Sequence, residues 1–194
     1  MQPYLHHTPQ PWPWGCQYYA LYSLVGDEQL LADVTEANSI RFDERARALG
    51  YYLNYLYAEA TCTVAMPESV WQGLLGGAEG VAALQGNVGL FLISVRLHKT
   101  RYVLHTVGLA LRAVSDTELA VQVFDPSAAG EKEYPSLAAF LASPYGQVYE
   151  LKQVLPLARL EAELPRAFGP DAAHVSPTTR QAWESTLHPQ PQAA

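Results

Sequence analysis

Cysteine is nearly absent from this chain of 194 residues, which holds only Cys16 and Cys62. Two cysteines make no disulfide framework, and neither belongs to a Cys-x-x-Cys pair of the kind that holds zinc. Positive charge is also sparse. Lys and Arg number 12 against 19 Asp and Glu, the net charge is −7, and no basic run occurs. This argues against nucleic acid and anionic membranes as main partners. Apolar runs break well short of the roughly 18 residues that a membrane span needs. The opening Met-Gln-Pro-Tyr-Leu-His-His has neither a basic start nor an apolar stretch, so no signal peptide is expected there. A reducing cytoplasm is the compartment these absences imply. What is present is hydrophobic: 49% of the residues, enough for one folded domain with a sizeable core.

The order of elements predicts an α+β fold, with an N-terminal helical half packed on a C-terminal antiparallel sheet. Pro11, Pro13 and Gly15 make residues 1–15 an irregular arm. From Cys16 apolar residues recur at helical spacing to Val25, where Gly26 is a natural stop. Asp27 caps a predicted short helix Glu28–Thr35, and another runs from Glu44 to about Leu49. Residues 51–59 carry four tyrosines whose spacing fits helix or strand, and are read as helix. Pro67 opens a short helix, and Val81–Leu84 is a helical fragment. Strands are predicted at Leu90–Leu97, Tyr102–Val114, Glu118–Phe124 and Gln147–Leu155. The first two are joined by a polar turn at 98–101, the next two by Ser115-Asp116-Thr117. Ser136–Ala142 reads as a short amphipathic helix. The domain is expected to span 1–164, with 165–194 as a flexible tail rich in Pro, Gln and Ala.

Cys16 stands where the loop turns into the first helix. A thiol there faces unpaired backbone N–H groups and the positive end of the helix dipole, which favour thiolate. Such placement lowers a cysteine pKa from about 8.5 into a range of about 3.5–7.5. Gln10, upstream, offers an amide donor to the same spot. The stretch reads as a nucleophile with half of an oxyanion hole. The bland alternative is a small buried hydrophobe among aromatic residues.

A base is needed, and among six histidines only His105 is embedded in a predicted strand. Its neighbours on one face are Val103, Val107, Leu109 and Leu111. If Ser115-Asp116-Thr117 is the turn, Asp125 comes close on the paired strand. One register sets it directly opposite His105. A shift of two residues makes it a diagonal neighbour about 7 Å away at the backbone, and an odd shift turns it to the other face. Asp125 precedes Pro126, where the ladder stops. A carboxylate there fixes the imidazole tautomer and stabilises the imidazolium. Cys16, His105 and Asp125 thus form a nucleophile–base–orienter set, placed in the cleft between the layers.

These residues resemble the papain-like cysteine peptidase superfamily, and within it the bacteriocin-processing, double-glycine leader peptidase group. That group has a Gln before the catalytic Cys at a helix start, as Gln10 and Cys16 are placed. It has a His opening a hairpin, to which His105-Thr106-Val107-Gly108 is similar, and Asp-Pro ending the next strand, as in Asp125-Pro126. Leu137-Ala138-Ala139-Phe140 and Gly146-Gln147-Val148-Tyr149 look like its later helix and closing strand. The chain departs from the group in having Gln17 after the cysteine and in its Pro-Trp-Pro-Trp stretch.

The resemblance implies a papain-like fold and a peptidase or amide hydrolase acting on peptide or protein. Cys16, His105 and Asp125 would be catalytic, with Gln10 and the Cys16 N–H as oxyanion donors. Trp12, Trp14 and Gln17 would line the cleft, and no cofactor or metal is implied. Transglutaminase-like acyl transfer and a disabled peptide-binding module are the alternatives. A metal held by Cys16, His105 and Asp125 is disfavoured, because no close ligand pair accompanies them.

Overall fold

The structure, a computed structural model, describes residues 5–12, 14–32, 34–58, 64–76, 81, 84, 88–96, 104–127 and 130–157. Cys62, the polar turn 98–101, the middle of the 81–84 fragment and the tail 165–194 lie outside the described residues.

Helix α1 is Cys16–Val25, with the predicted bounds. Gly15 and Gly26 flank it, both with positive φ (100° and 71°), and the Gly26 N–H donates to the Tyr22 carbonyl. Glycine is suited to both positions because a Cβ disfavours the left-handed region. Asp27 does cap a turn, but only the single 3-10 turn Glu28–Leu30 follows, not a helix to Thr35. Helices α2, Glu36–Ser39, and α3, Phe42–Ala48, come next.

Strand β1, Tyr51–Ala58, replaces the helix predicted over 51–59. It pairs antiparallel with β6, Val148–Pro156, and a bulge between Tyr55 and Tyr57 shifts the register. The bulge breaks the two-residue alternation by which a strand is recognised. Helix α4, Glu68–Trp71, runs into a wider π-type turn, Gln72–Gly76. Strands β2 (Val88–Val95), β3 (His105–Ala113) and β4 (Leu119–Phe124) form an antiparallel meander. A three-residue edge strand absent from the sequence reading, β5 (Lys132–Tyr134), pairs with β4. Helix α5, Leu137–Leu141, is capped by the Ser136 hydroxyl, and a 3-10 turn Pro144–Gly146 leads into β6.

The fold is α+β, with one six-stranded antiparallel sheet in the order β1-β6-β2-β3-β4-β5. The N-terminal half is therefore not purely helical, because it supplies an edge strand. Each face of the sheet carries its own core. Val107, Leu109 and Leu111 pack with Trp71, Leu75 and Phe140 on one face. Ala110, Leu90, Leu92 and Phe124 pack under α1 and α3, against Leu21, Leu24 and Phe42, on the other. Each such fully buried side chain contributes roughly 1.5–3 kcal/mol of transfer free energy. Gly108 makes the close approach of α1 possible: a Cβ there would lie 3.0 Å from both the Ala20 carbonyl oxygen and Leu24 Cγ. Among the described residues no helix is long and apolar enough to cross a membrane.

Candidate active site

The start of α1 meets the first residues of β3 and the end of β4, and this is where Cys16, His105 and Asp125 converge. The β3–β4 register pairs Gly108 with Phe124. Continued by one residue it sets Asp125 beside Val107, the diagonal register with respect to His105. His105 Nε2 lies 2.6 Å from Asp125 Oδ1. The thiol of Cys16 lies close enough to the same ring for each to shift the other's pKa. One imidazole thus bridges a thiol and a carboxylate. The contact lies at the ends of the strands rather than deep between the layers.

Four groups around the set were not singled out from the sequence. The Thr106 N–H donates to Cys16 Sγ at 3.5 Å. Ser127 donates twice to Asp125 Oδ1, from its backbone N–H and its hydroxyl, each at 2.8 Å. The Tyr145 hydroxyl donates to Oδ2 at 2.8 Å. His7 Nε2 contacts the Asp125 carbonyl oxygen at 2.8 Å. The Ser127 pairing was in principle visible, because an Asp commonly accepts from the backbone two residues on. Tyr145 carries no such local signal.

These contacts set the protonation states. Burial opposes ionisation of the Cys16 thiol, but the His105 hydrogen bond and the Thr106 N–H outweigh it, and the pKa falls below the ordinary value. Burial also pulls His105 downward, but the bonds to Asp125 and Cys16 prevail and raise it to about 9. Asp125 is only 2% exposed. Its burial is overcome by the donors from His105, Ser127 and Tyr145, which hold the carboxyl far below the usual range. The lowered thiol and the raised imidazole both move the pair toward a thiolate beside an imidazolium, backed by a carboxylate.

Gln10 belongs to the same neighbourhood, since its backbone N–H donates to the Pro126 carbonyl at 2.8 Å. Its side-chain Nε2 donates to the Trp12 carbonyl at 2.7 Å, within its own loop. Its Oε1 is buried with no hydrogen-bond partner among the described residues. The N-cap of α1 is Gly15, which has no side chain to cap the helix start. Gln17 is half-buried, and Trp12 and Trp14 stack on each other. Among the described residues no His, Cys, Asp and Glu side chains gather in threes in a way that could hold a metal ion.

Comparison with protein-family models, with curated proteins and with solved structures returned no match.

Proposed function

We propose that the chain is a cysteine peptidase or amide hydrolase with a papain-like arrangement, acting on peptide or protein. The observation that carries this reading is the single His105 ring, hydrogen-bonded to Asp125 and coupled to the Cys16 thiol. A purely structural buried thiol has no need of a base, and a base held by a carboxylate suits proton transfer to and from a reacting group.

In the proposed reaction the proton of Cys16 resides on His105, and the thiolate attacks a substrate carbonyl carbon. The new C–S bond pushes the carbonyl electrons onto oxygen. The Cys16 N–H and the second N–H of Gln10 Nε2 are the donors available to that oxyanion. One such donor contributes roughly 2.7–4 kcal/mol to the transition state. As the C–N bond breaks, His105 returns its proton to the leaving amine. Water, deprotonated by the neutral imidazole, then cleaves the thioester and regenerates the thiol. A reducing compartment, as the sequence implies, keeps the thiol free.

The test is alkylation by iodoacetamide near pH 6, read by peptide mass spectrometry. Cys16 is expected to label much faster than Cys62, and His105→Ala to abolish the difference. Equal labelling of the two cysteines in the unaltered chain would leave no activated nucleophile. With a peptide substrate, product mass separates transfer to water from transfer to an amine.

A further inference from the structure

Residues 10–16 are tied to the site at both ends. At one end the Gln10 N–H is bonded to the Pro126 carbonyl, next to Asp125. At the other Cys16 Sγ accepts from Thr106. The stretch between them starts beside the residue that follows Asp125 and ends at the thiol. It carries two indoles, Trp12 and Trp14, stacked with ring centroids 5.7 Å apart and planes within 7°. Trp12 is 50% exposed; among the described residues the other large apolar side chains that are exposed, Ile40, Val64 and Val114, are all aliphatic. An exposed indole in a loop that ends at the candidate nucleophile is contact area that folding has left unused.

We propose that Trp12, backed by Trp14, is a substrate subsite that takes a ring-bearing side chain (Phe, Tyr or Trp) of the bound peptide; this rests on the peptidase reading above. Three features of the loop choose that occupant. Residues 5–17 contain no Asp, Glu, Lys or Arg, so neither acidic nor basic side chains are selected by charge. The stacked pair presents a flat, polarisable face, which suits another ring better than a branched aliphatic group. Pro11 limits the loop's freedom before binding, so less order is lost on docking. The Gln10 amide ties the subsite to the chemistry. Its Nε2 holds the carbonyl of Trp12 itself.

The experiment compares two alkylating probes with one warhead, N-benzyl iodoacetamide and N-methyl iodoacetamide, on the full chain. The rate ratio at Cys16 is normalised to the same ratio on glutathione. A preference for the benzyl probe of about tenfold is expected. Trp12→Leu, which stays apolar but loses the ring face, is expected to bring the ratio close to one, and Trp12→Phe to retain most of it. A wild-type ratio equal to that of glutathione, or one that Trp12→Leu leaves in place, would overturn the subsite. The underlying reading has its own readout: if Cys16 reacts with plain iodoacetamide at pH 6 no faster than an ordinary thiol, both fall. An activated Cys16 with no benzyl preference removes the subsite alone.

Discussion

The Tyr145 hydroxyl donates to Asp125 Oδ2 at 2.8 Å, the carboxylate oxygen that His105 does not use. The carboxylate is thereby held at both ends, and its plane is fixed relative to the imidazole. Tyr145 belongs to a 3-10 turn whose first residues are ordered by the Ser143 hydroxyl, and Lys132 Nζ lies 5.0 Å from the centroid of its ring. Burial and the Asp125 contact both push its own pKa upward, so it stays a donor.

Tyr145→Phe is expected to destabilise the fold by about 1.5–3 kcal/mol at pH 7, the range for a hydrogen bond to a charged group. The sign of the pH dependence follows from the lowered pKa of Asp125. Stability from a depressed carboxyl is present above its unfolded value and is lost as pH falls. The gap between wild type and variant should therefore narrow in acid. Urea unfolding at neutral and acidic pH measures it, and a pH-independent gap would contradict the assignment.

His105 is raised to about 9, above its ordinary 6.5. The stability it contributes is fully present below 6.5 and lost as pH rises through about 9. In Asp125→Asn the ring is expected to titrate closer to the ordinary value, and the stability lost in that variant should shrink above pH 9. NMR titration of the His105 ring protons reads the first expectation directly. An unchanged midpoint in Asp125→Asn would show that Asp125 does not hold the proton.

Gly108 sets how closely α1 lies on β3, and so where α1 carries Cys16. A side chain there would meet the Ala20 carbonyl oxygen at 3.0 Å. Gly108→Val is expected to cost about 1–3 kcal/mol through overpacking. For a chain of this size that lowers Tm by roughly 2–4 °C per kcal/mol. The same variant should slow alkylation of Cys16 by displacing it from His105. Unaltered Tm and labelling would mean that α1 has room to spare.

A second polar cluster anchors α3 to the sheet. Lys152 Nζ, nearly buried, lies 3.3 Å from Asp43 Oδ1 and 3.4 Å from Glu150 Oε2. The Tyr55 hydroxyl donates to Asp43, and the Ser94 hydroxyl donates to Glu150. Removing one partner of a buried pair costs roughly 3–5 kcal/mol. Asp43 is half exposed, so Lys152→Ala should fall at or below the low end of that range while leaving Cys16 alkylation unchanged. A loss of labelling with no loss of stability would tie this cluster to the site instead.

Legibility in the sequence followed the range of the interactions involved. Helix α1 was readable because its stops, Gly15 and Gly26, are its own neighbours. The β3–β4 hairpin was readable because a short turn leaves few registers, and the one found lets Asp125 reach His105. Strand β1 was misread as helix: its bulge spoils the alternation, and its partner β6 lies far along the chain. Strand β5 is three residues of largely polar sequence, Lys132-Glu133-Tyr134, defined only by pairing with β4. Tyr145 and Thr106 reach the site through tertiary packing, for which no local pattern exists.

The most direct measurement is the pH titration of the Cys16 thiolate, followed by its ultraviolet absorbance in Cys62→Ser and in Cys62→Ser with His105→Ala. The account predicts a midpoint below the ordinary thiol value in the first, and a rise to or beyond it in the second, where burial acts without the imidazole. Coincident midpoints in the two proteins would contradict it.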